Sequence, residues 1–338
     1  MGNEYLSLKQ QDLSSPWRPA SELAILRCRA DLLARIRDFF VRLDVLEVET
    51  PVLSRGGNPD IYIESFSSRT ITTEGEQTLY LQTSPEFAMK RLLAAGSGSI
   101  YQICKAFRQG EQGRYHNPEF TMLEWYRQDF DHHQLMQEVE ALLVFLDLIE
   151  PGTSINKISY QSLFEQHVGV NPHLISNNEL INCIHEQAIP LHHGHISQLD
   201  KDDLLALILT HVIEPAISHD GFVLVYDYPA SQASLARLSD GPVPVAERFE
   251  LYADGIELAN GFNELTDAEE QSRRFQHDCD LRERRGQQNI SLDHRFIDAL
   301  RAGLPPCAGV ALGFDRLLML ATKSKSLQEV MPFPINQA

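Results

Sequence analysis

The fifteen residues GRYHNPEFTMLEWYR, at positions 113–127, put two arginines, a histidine, two glutamates and four aromatic rings into one short run. From Glu119 to Tyr126 the composition is that of a strand, and side chains on a strand alternate between its faces. Phe120, Met122, Glu124 and Tyr126 therefore share one face, and Glu119, Thr121, Leu123 and Trp125 the other. A ring, a carboxylate and a phenol on one face is a poor recipe for a plain core. Arg108 just upstream, with Arg114 and His116, adds cationic groups beside that face, as an anionic substrate requires. Taken alone, Glu124 also reads as a half-buried carboxylate paired with a structural cation.

Working outward, residues 101–127 read as two strands around a polar loop. Upstream, TLYLQTSPEFAMKRLLAAG (78–96) runs from a strand into a helix, with Ser84 as N-cap, Pro85 at the first helical position and Gly96 closing it. Ser21 is placed to cap an earlier helix whose apolar residues recur from Leu23 to Leu43. VLEVETPVLS (45–54) then reads as a strand ending at Thr50-Pro51. Downstream, His132 to Leu148 is an apolar-rich helix, and about 150–219 is a polar helical insertion. Strand patterns resume in GFVLVYDYP (221–229), ERFELYADGIELANGF (247–262) and GVALGFDRLLML (309–320). Strands, then helices, then strands predict an α+β fold: one domain over 1–338, a mainly antiparallel sheet flanked by helices. No strand runs into a GxGxxG turn, which argues against a doubly wound parallel sheet.

Asp254-Gly255 predicts a two-residue hairpin that sets Tyr252 opposite Glu257 and leaves Glu250 diagonal to Glu257 on the same face. Two such carboxylates suit a Mg²⁺ whose octahedron phosphate oxygens complete, although solvated hairpin acids fit the pattern as well. Asn260 joins that face only if a bulge, expected at Gly261, breaks the alternation. Arg316 opens an apolar helix where the dipole favours anions, so it reads either as a triphosphate ligand or as the partner of Asp315. Glu86 reads as a site residue or simply as a first-turn acid. His192, His193 and His195 read as a solvated loop without metal.

The chain has 338 residues and is 43% hydrophobic, enough for a substantial core. Its 29 Lys and Arg against 47 Asp and Glu give a formal net charge of −18, which argues against a broad grip on nucleic acid. Five scattered cysteines suggest reduced thiols rather than disulfides or a zinc site. There is no signal peptide, no myristoylation pattern and no run near the ~18 apolar residues of a membrane span, so a cytoplasmic location is expected.

Together these segments resemble the three signature motifs of a class II aminoacyl-tRNA synthetase core, over about residues 17–332. The first motif corresponds to 21–53 with Pro51, the second to AFRQGEQGRYHNPEFTMLEWYR and the third to GVALGFDRLLML. HNPEFTM together with ELANGFNELTDAEEQ is similar to the lysyl-tRNA synthetase branch. The resemblance implies that Arg108 binds the α-phosphate of ATP, His116 and Phe120 hold the nucleotide, and Arg316 takes the γ-phosphate end. It implies Mg²⁺ at Glu250 and Glu257, with Glu250 also counted among the ATP ligands. Ser84, Glu86 and Asn260 fall to the amino-acid site, with Glu86 and Asn260 at its α-amino and carboxylate end. Glu124, Tyr126 and Glu264 surround the terminal ammonium.

Fewer than twenty-five residues precede the first-motif helix, so no anticodon-binding domain is expected. With the acidic charge, this makes tRNA an unexpected partner. Within the branch, the chain is most similar to the elongation factor P lysine ligase family, which also accounts for Ala311 where lysyl-tRNA synthetases carry glycine. This implies adenylation of (R)-β-lysine or lysine, transfer to a lysine of elongation factor P, and a homodimer through the first motif. A catalytically silent lysine- or nucleotide-binding paralogue, or an enzyme releasing a small lysine derivative or diadenosine polyphosphate, are the alternatives. The pattern departs at FRQGE, where Gly110 stands in place of a glutamate and Glu111 follows one residue later, implying a re-registered loop.

Overall fold

The computed structural model describes residues 17–73, 75–190 and 199–338. The expectations for residues 1–16 and for His192, His193 and His195 lie outside the described residues. Helix α1 (Leu23–Arg42) turns Leu32, Ile36, Phe39 and Phe40 into the core at i, i+4, i+7 and i+8. Its N-cap is Glu22 rather than Ser21, whose buried hydroxyl has no hydrogen-bond partner. The single strand expected over 45–54 is two short ones, β1 (Leu46–Glu47) and β2 (Leu53–Ser54), because Pro51 removes a ladder donor between them. β1 joins the main sheet, whereas β2 pairs with β4 (Gly75–Leu81), which also pairs with β3 (Ser67–Thr72).

Helix α2 (Glu86–Ala94) follows, with Pro85 at the N-cap position. Ser84 stands one residue further out, and its hydroxyl accepts from Glu86 N–H at 3.3 Å. Gly96 closes the helix with φ +88°. β5 (Ile100–Phe107) and β6 (Glu119–Gln128) pair antiparallel around the polar loop. α3 (His132–Phe145) starts on a capping box, Asp131 with Gln134.

The segment read as a polar insertion carries β7 (Asn156–Ser159), α4 (Tyr160–Val168), α5 (Asn177–Glu186), α6 (Lys201–Ile208), a π turn at Leu209–Ile213 and α7 (Glu214–Ile217). It is polar only outside: Tyr160, Phe164, Leu180, Ile184 and Leu204 form an apolar cluster with Val223, Val225 and Tyr252 of the strands beyond. β8 (Phe222–Pro229), β9 (Val245–Ala253) and β10 (Ile256–Asn263) follow, then α8 (Ala268–Arg284), α9 (His294–Gly303), β11 (Cys307–Gly313), α10 (Phe314–Thr322) and α11 (Leu327–Val330).

The large sheet has the order β1-β5-β6-β11-β10-β9-β8-β7, parallel only at its two outer pairs. One face packs α1, α3 and α10 against Leu123, Trp125, Leu251, Val310 and Leu312. Trp125 is fully buried there and donates to Glu138 at 2.9 Å, as a buried indole requires. The other face carries a smaller cluster, Met89, Leu93, Phe275, Phe296 and Leu300, and otherwise opens into a cleft. All five cysteines are free, Cys183 and Cys307 buried and the others half-buried. Among the described residues, no helix is long and apolar enough to cross a membrane.

Candidate active site

The cleft is a cavity of about 440 Å³ whose floor is the open face of the sheet. Register decides what lies there. Gln102 pairs with Glu124, Glu124 with Ala311, Ala311 with Asn260 and Asn260 with Glu250, a continuous row across five strands. The neighbouring row is Tyr126, Gly309, Phe262 and Arg248. The face assigned to Phe120, Met122, Glu124 and Tyr126 from alternation is the one lining the cavity.

The hairpin forms as its sequence predicts, with Asp254 at φ +50° and Gly255 at φ +74° and Tyr252 opposite Glu257. The bulge that Asn260 needs is not at Gly261. The ladder skips Leu258, between Glu257 and Ala259, and that extra residue rotates Asn260 onto the face of Glu250. Gly261 instead makes room for Phe249, whose ring would lie 2.4 Å from an added Cβ.

At one end of the cavity are four acid–base groups. Glu124 and Glu264 are each 2% exposed, and Lys90, from α2, is 1% exposed. Lys90 Nζ contacts Glu86 Oε1 at 2.6 Å and also pairs with Glu264. Tyr126 donates to Glu124 Oε1 at 2.7 Å, while the buried Glu124 Oε2 has no hydrogen-bond partner. Burial, and then the Glu86 charge, push the Glu124 carboxyl up to about 8. Burial also raises Glu264 to about 8, against the opposing pull of Lys90. Burial alone would lower Lys90, but the Glu264 and Glu86 carboxylates outweigh it and hold the ammonium above its ordinary value. Glu86 thus gathers with Glu264 around one cation. Gly309 is required beneath them: an added Cβ would sit 2.2 Å from the Tyr126 ring and 2.5 Å from Glu264 Oε1.

The other end is cationic. Arg108 lies over the Phe120 ring at 5.3 Å and faces Glu111 at 3.7 Å. Gly110 takes φ +83°, in the left-handed region, and Glu111 lines the cavity, so the re-registered FRQGE loop still delivers a carboxylate to Arg108. Arg316 donates to Tyr115 O at 3.2 Å and Glu257 O at 2.5 Å, and lies 2.8 Å from His116 Nε2. Burial, then Arg316, lowers the His116 pKa, leaving Nε2 free to accept from that guanidinium. Asp315 is not the partner of Arg316. It accepts from Arg29 at 2.5 Å and from Thr121 N–H at 2.6 Å.

Between the ends stand Glu250, Glu257 and Asn260. Glu250 accepts from Tyr228 and Tyr252 hydroxyls at 2.8 and 2.6 Å and pairs with Arg248. Glu257 keeps 44% of its side chain exposed to the open cleft, while desolvation by the cleft walls and then Glu250 raise its carboxyl. Asn260 Oδ1 is buried without a hydrogen-bond partner. No group of three or more metal-ligating side chains occurs among the described residues, so a cation here needs oxygens from a ligand to complete its shell.

Sequence reasoning missed Lys90, Arg248, Glu111 as a wall residue, and the segment carrying Asn58, Asp60 and Tyr62, which overhangs the cavity. That segment is tied down by Arg282, which is fully buried and bonds both Glu64 oxygens at 2.8 Å. Of these only Lys90 left any trace, its i,i+4 spacing from Glu86, which by itself reads as a solvated pair.

The family model described as tRNA synthetases class II (D, K and N) matches residues 3–337. A protein of Histophilus somni (strain 2336) named elongation factor P--(R)-beta-lysine ligase is 49% identical over 328 residues, covering 96% of this chain and 99% of its own. Similar proteins of the same name come from Mannheimia succiniciproducens, 47% identical over 95% of this chain and 98% of its own, and from Photobacterium profundum, 47% identical over 96% and 100%.

Proposed function

The chain belongs to the class II tRNA synthetase family of the D, K and N enzymes, and we propose that it is an ATP-dependent ligase that activates (R)-β-lysine or lysine and transfers it to a lysine of elongation factor P. The observation that carries this reading is the polarity of one cavity. Glu86 and Glu264, joined by Lys90, sit with Glu124 at one end, and Arg108, His116 and Arg316 sit at the other. A molecule joining an ammonium-bearing amino acid to a polyphosphate has that polarity. The proteins of the same name at 46–49% identity support elongation factor P as acceptor, rather than tRNA.

In the first step an oxygen of the amino-acid carboxylate attacks the α-phosphorus of ATP, the bond to the β-phosphate oxygen breaks, and pyrophosphate leaves. Arg108 binds the reacting phosphate, Arg316 and His116 the far phosphates, and Phe120 the adenine. Because these groups are already oriented, the rate gain is one of positioning and charge stabilisation. In the second step the amine of the acceptor lysine attacks the adenylate carbonyl and AMP leaves with the bonding pair. Asn260, with its unsatisfied Oδ1, orients the amino-acid end. Ser84 and Ala311 complete the wall beside it.

Mg²⁺ fits the site only in company with the nucleotide. Glu257, exposed to the cleft, and Glu250, both of whose oxygens already accept hydrogen bonds, would hold it. When bound, such an ion neutralises charge on the phosphates.

We read the chain as one catalytic unit with a helical insertion, acting as a homodimer in the cytoplasm. The apolar residues Val41, Leu46 and Leu53, 70%, 56% and 47% exposed along the first motif, support the dimer, as does β1 at the edge of the sheet. The silent-paralogue reading rested on Gly110, and Glu111 beside Arg108 removes that support. Incubating the protein with elongation factor P, ATP and (R)-β-lysine tests the acceptor. One added lysyl mass on elongation factor P is expected, and an unchanged mass with ATP consumed would leave only small-molecule products.

A further inference from the structure

Lys90 is one of the most buried charges in the molecule, and nothing in the two reaction steps uses it. Its ammonium is shared by Glu86 Oε1, at 2.6 Å, and Glu264. The ring of Phe296 lies 5.8 Å from Nζ, and Phe87 stacks on that ring, so water has little access from that side. A desolvated lysine is costly unless paired, and here two carboxylates pair it. The third carboxylate, Glu124, is engaged only by the Tyr126 hydroxyl and turns a bare, buried Oε2 toward the cavity.

We propose that Lys90 is a positioning residue for amino-acid recognition, whose ammonium locks Glu86 to Glu264 and leaves this end of the cavity with two more carboxyl groups than ammonium groups. The count is three carboxyl groups, on Glu86, Glu124 and Glu264, against one ammonium. The ligand that balances it is an amino acid carrying two ammonium groups. One ammonium meets Glu124 Oε2, and the other meets the oxygens of Glu86 and Glu264 that Lys90 leaves open. An amino acid with one ammonium leaves one buried carboxyl group without a cation, forgoes that ion pair and is selected against. Tyr126 is the hydroxyl donor facing this cluster, and Cys104 and Cys307 lie at its margin, both held as thiols by burial. The proposal rests on the adenylating function above and adds to it the origin of the charge selectivity.

The test uses amino-acid-dependent ATP–pyrophosphate exchange on the full chain. In Lys90→Met the KM for the diamino acid should rise about tenfold or more, with the KM for ATP within about twofold, because only one end of the cavity has changed. Adding Glu86→Gln to Lys90→Met should cost less than the product of the two single changes, since both disturb the placement of Glu86. An unchanged amino-acid KM, or losses that simply multiply, would overturn the proposal. If Lys90→Met does not fold, Glu86→Gln alone decides, at a side chain 13% exposed. Its preference for the diamino acid over 6-aminohexanoic acid should fall about tenfold or more, because one ammonium now balances the pocket; an unaltered ratio contradicts the charge count. Wild-type protein without any amino-acid-dependent exchange would refute the adenylating function instead.

Discussion

Asn260 pairs in register with Glu250 because Leu258 is bulged out of the ladder between them. Without that extra residue Asn260 would point into the core packed by α3 and α10. Its Oδ1 bonds no protein group, so the fold draws no hydrogen bond from it. Asn260→Ala should therefore change stability by no more than about 0.5 kcal/mol. The KM for the amino acid should rise about tenfold or more as an orienting hydrogen bond is lost. Urea denaturation and exchange kinetics on one preparation check both, and a large loss of stability with normal kinetics would contradict the assignment.

Gly309 carries a steric constraint of the opposite kind. A methyl group there would press on the Tyr126 ring at 2.2 Å. Gly309→Ala should displace the ring, break its hydrogen bond to Glu124 and cost about 1–3 kcal/mol of stability through overpacking. Amino-acid affinity should fall with it, while ATP affinity persists. Isothermal titration with each ligand separates the two.

How much of this could be read from sequence depends on the range of the interaction. The Asp254-Gly255 hairpin was legible because a type I′ turn asks two adjacent residues for positive φ, and these supply it. The binding face of β6 was legible because alternation is local. The bulge was not: Leu258 is buried at 3% and belongs to the core on the far face, which no single strand reveals. Nor was Lys90, since a lysine four residues after a glutamate on a helix reads as a solvated pair until Glu264, 174 positions away in the chain, closes over it. Ser21 lost the cap to Glu22 because burial, not hydrogen bonding, fixes its place.

Glu124 and Glu264, raised to about 8 chiefly by burial, give the empty protein a defined pH dependence. The folded chain binds these protons more tightly than the unfolded chain, where a glutamate titrates near its ordinary 4.5. Their contribution to stability is thus fully present below about 4.5 and is lost as pH rises toward about 8. Ammonium groups in the pocket offset that loss. The rise in melting temperature on adding saturating diamino acid should be larger at about pH 8 than at about pH 6. Equal rises would contradict the assignment of these carboxylates to the ammonium groups.

The homodimer is tested at Val41, 70% exposed on α1. Val41→Glu places a charge in the proposed interface, where an unpaired desolvated carboxylate is costly. Light scattering at micromolar concentration should give a dimer for the wild type and a monomer for the variant. A wild-type monomer would refute the interface.

The central claim is that one cavity joins a lysine-class amino acid to ATP. Amino-acid-dependent ATP–pyrophosphate exchange by the purified protein, with (R)-β-lysine, α-lysine or no amino acid, measures this directly. Exchange that requires the amino acid, and is faster with (R)-β-lysine, is the predicted result; no exchange above the amino-acid-free rate with either would contradict it.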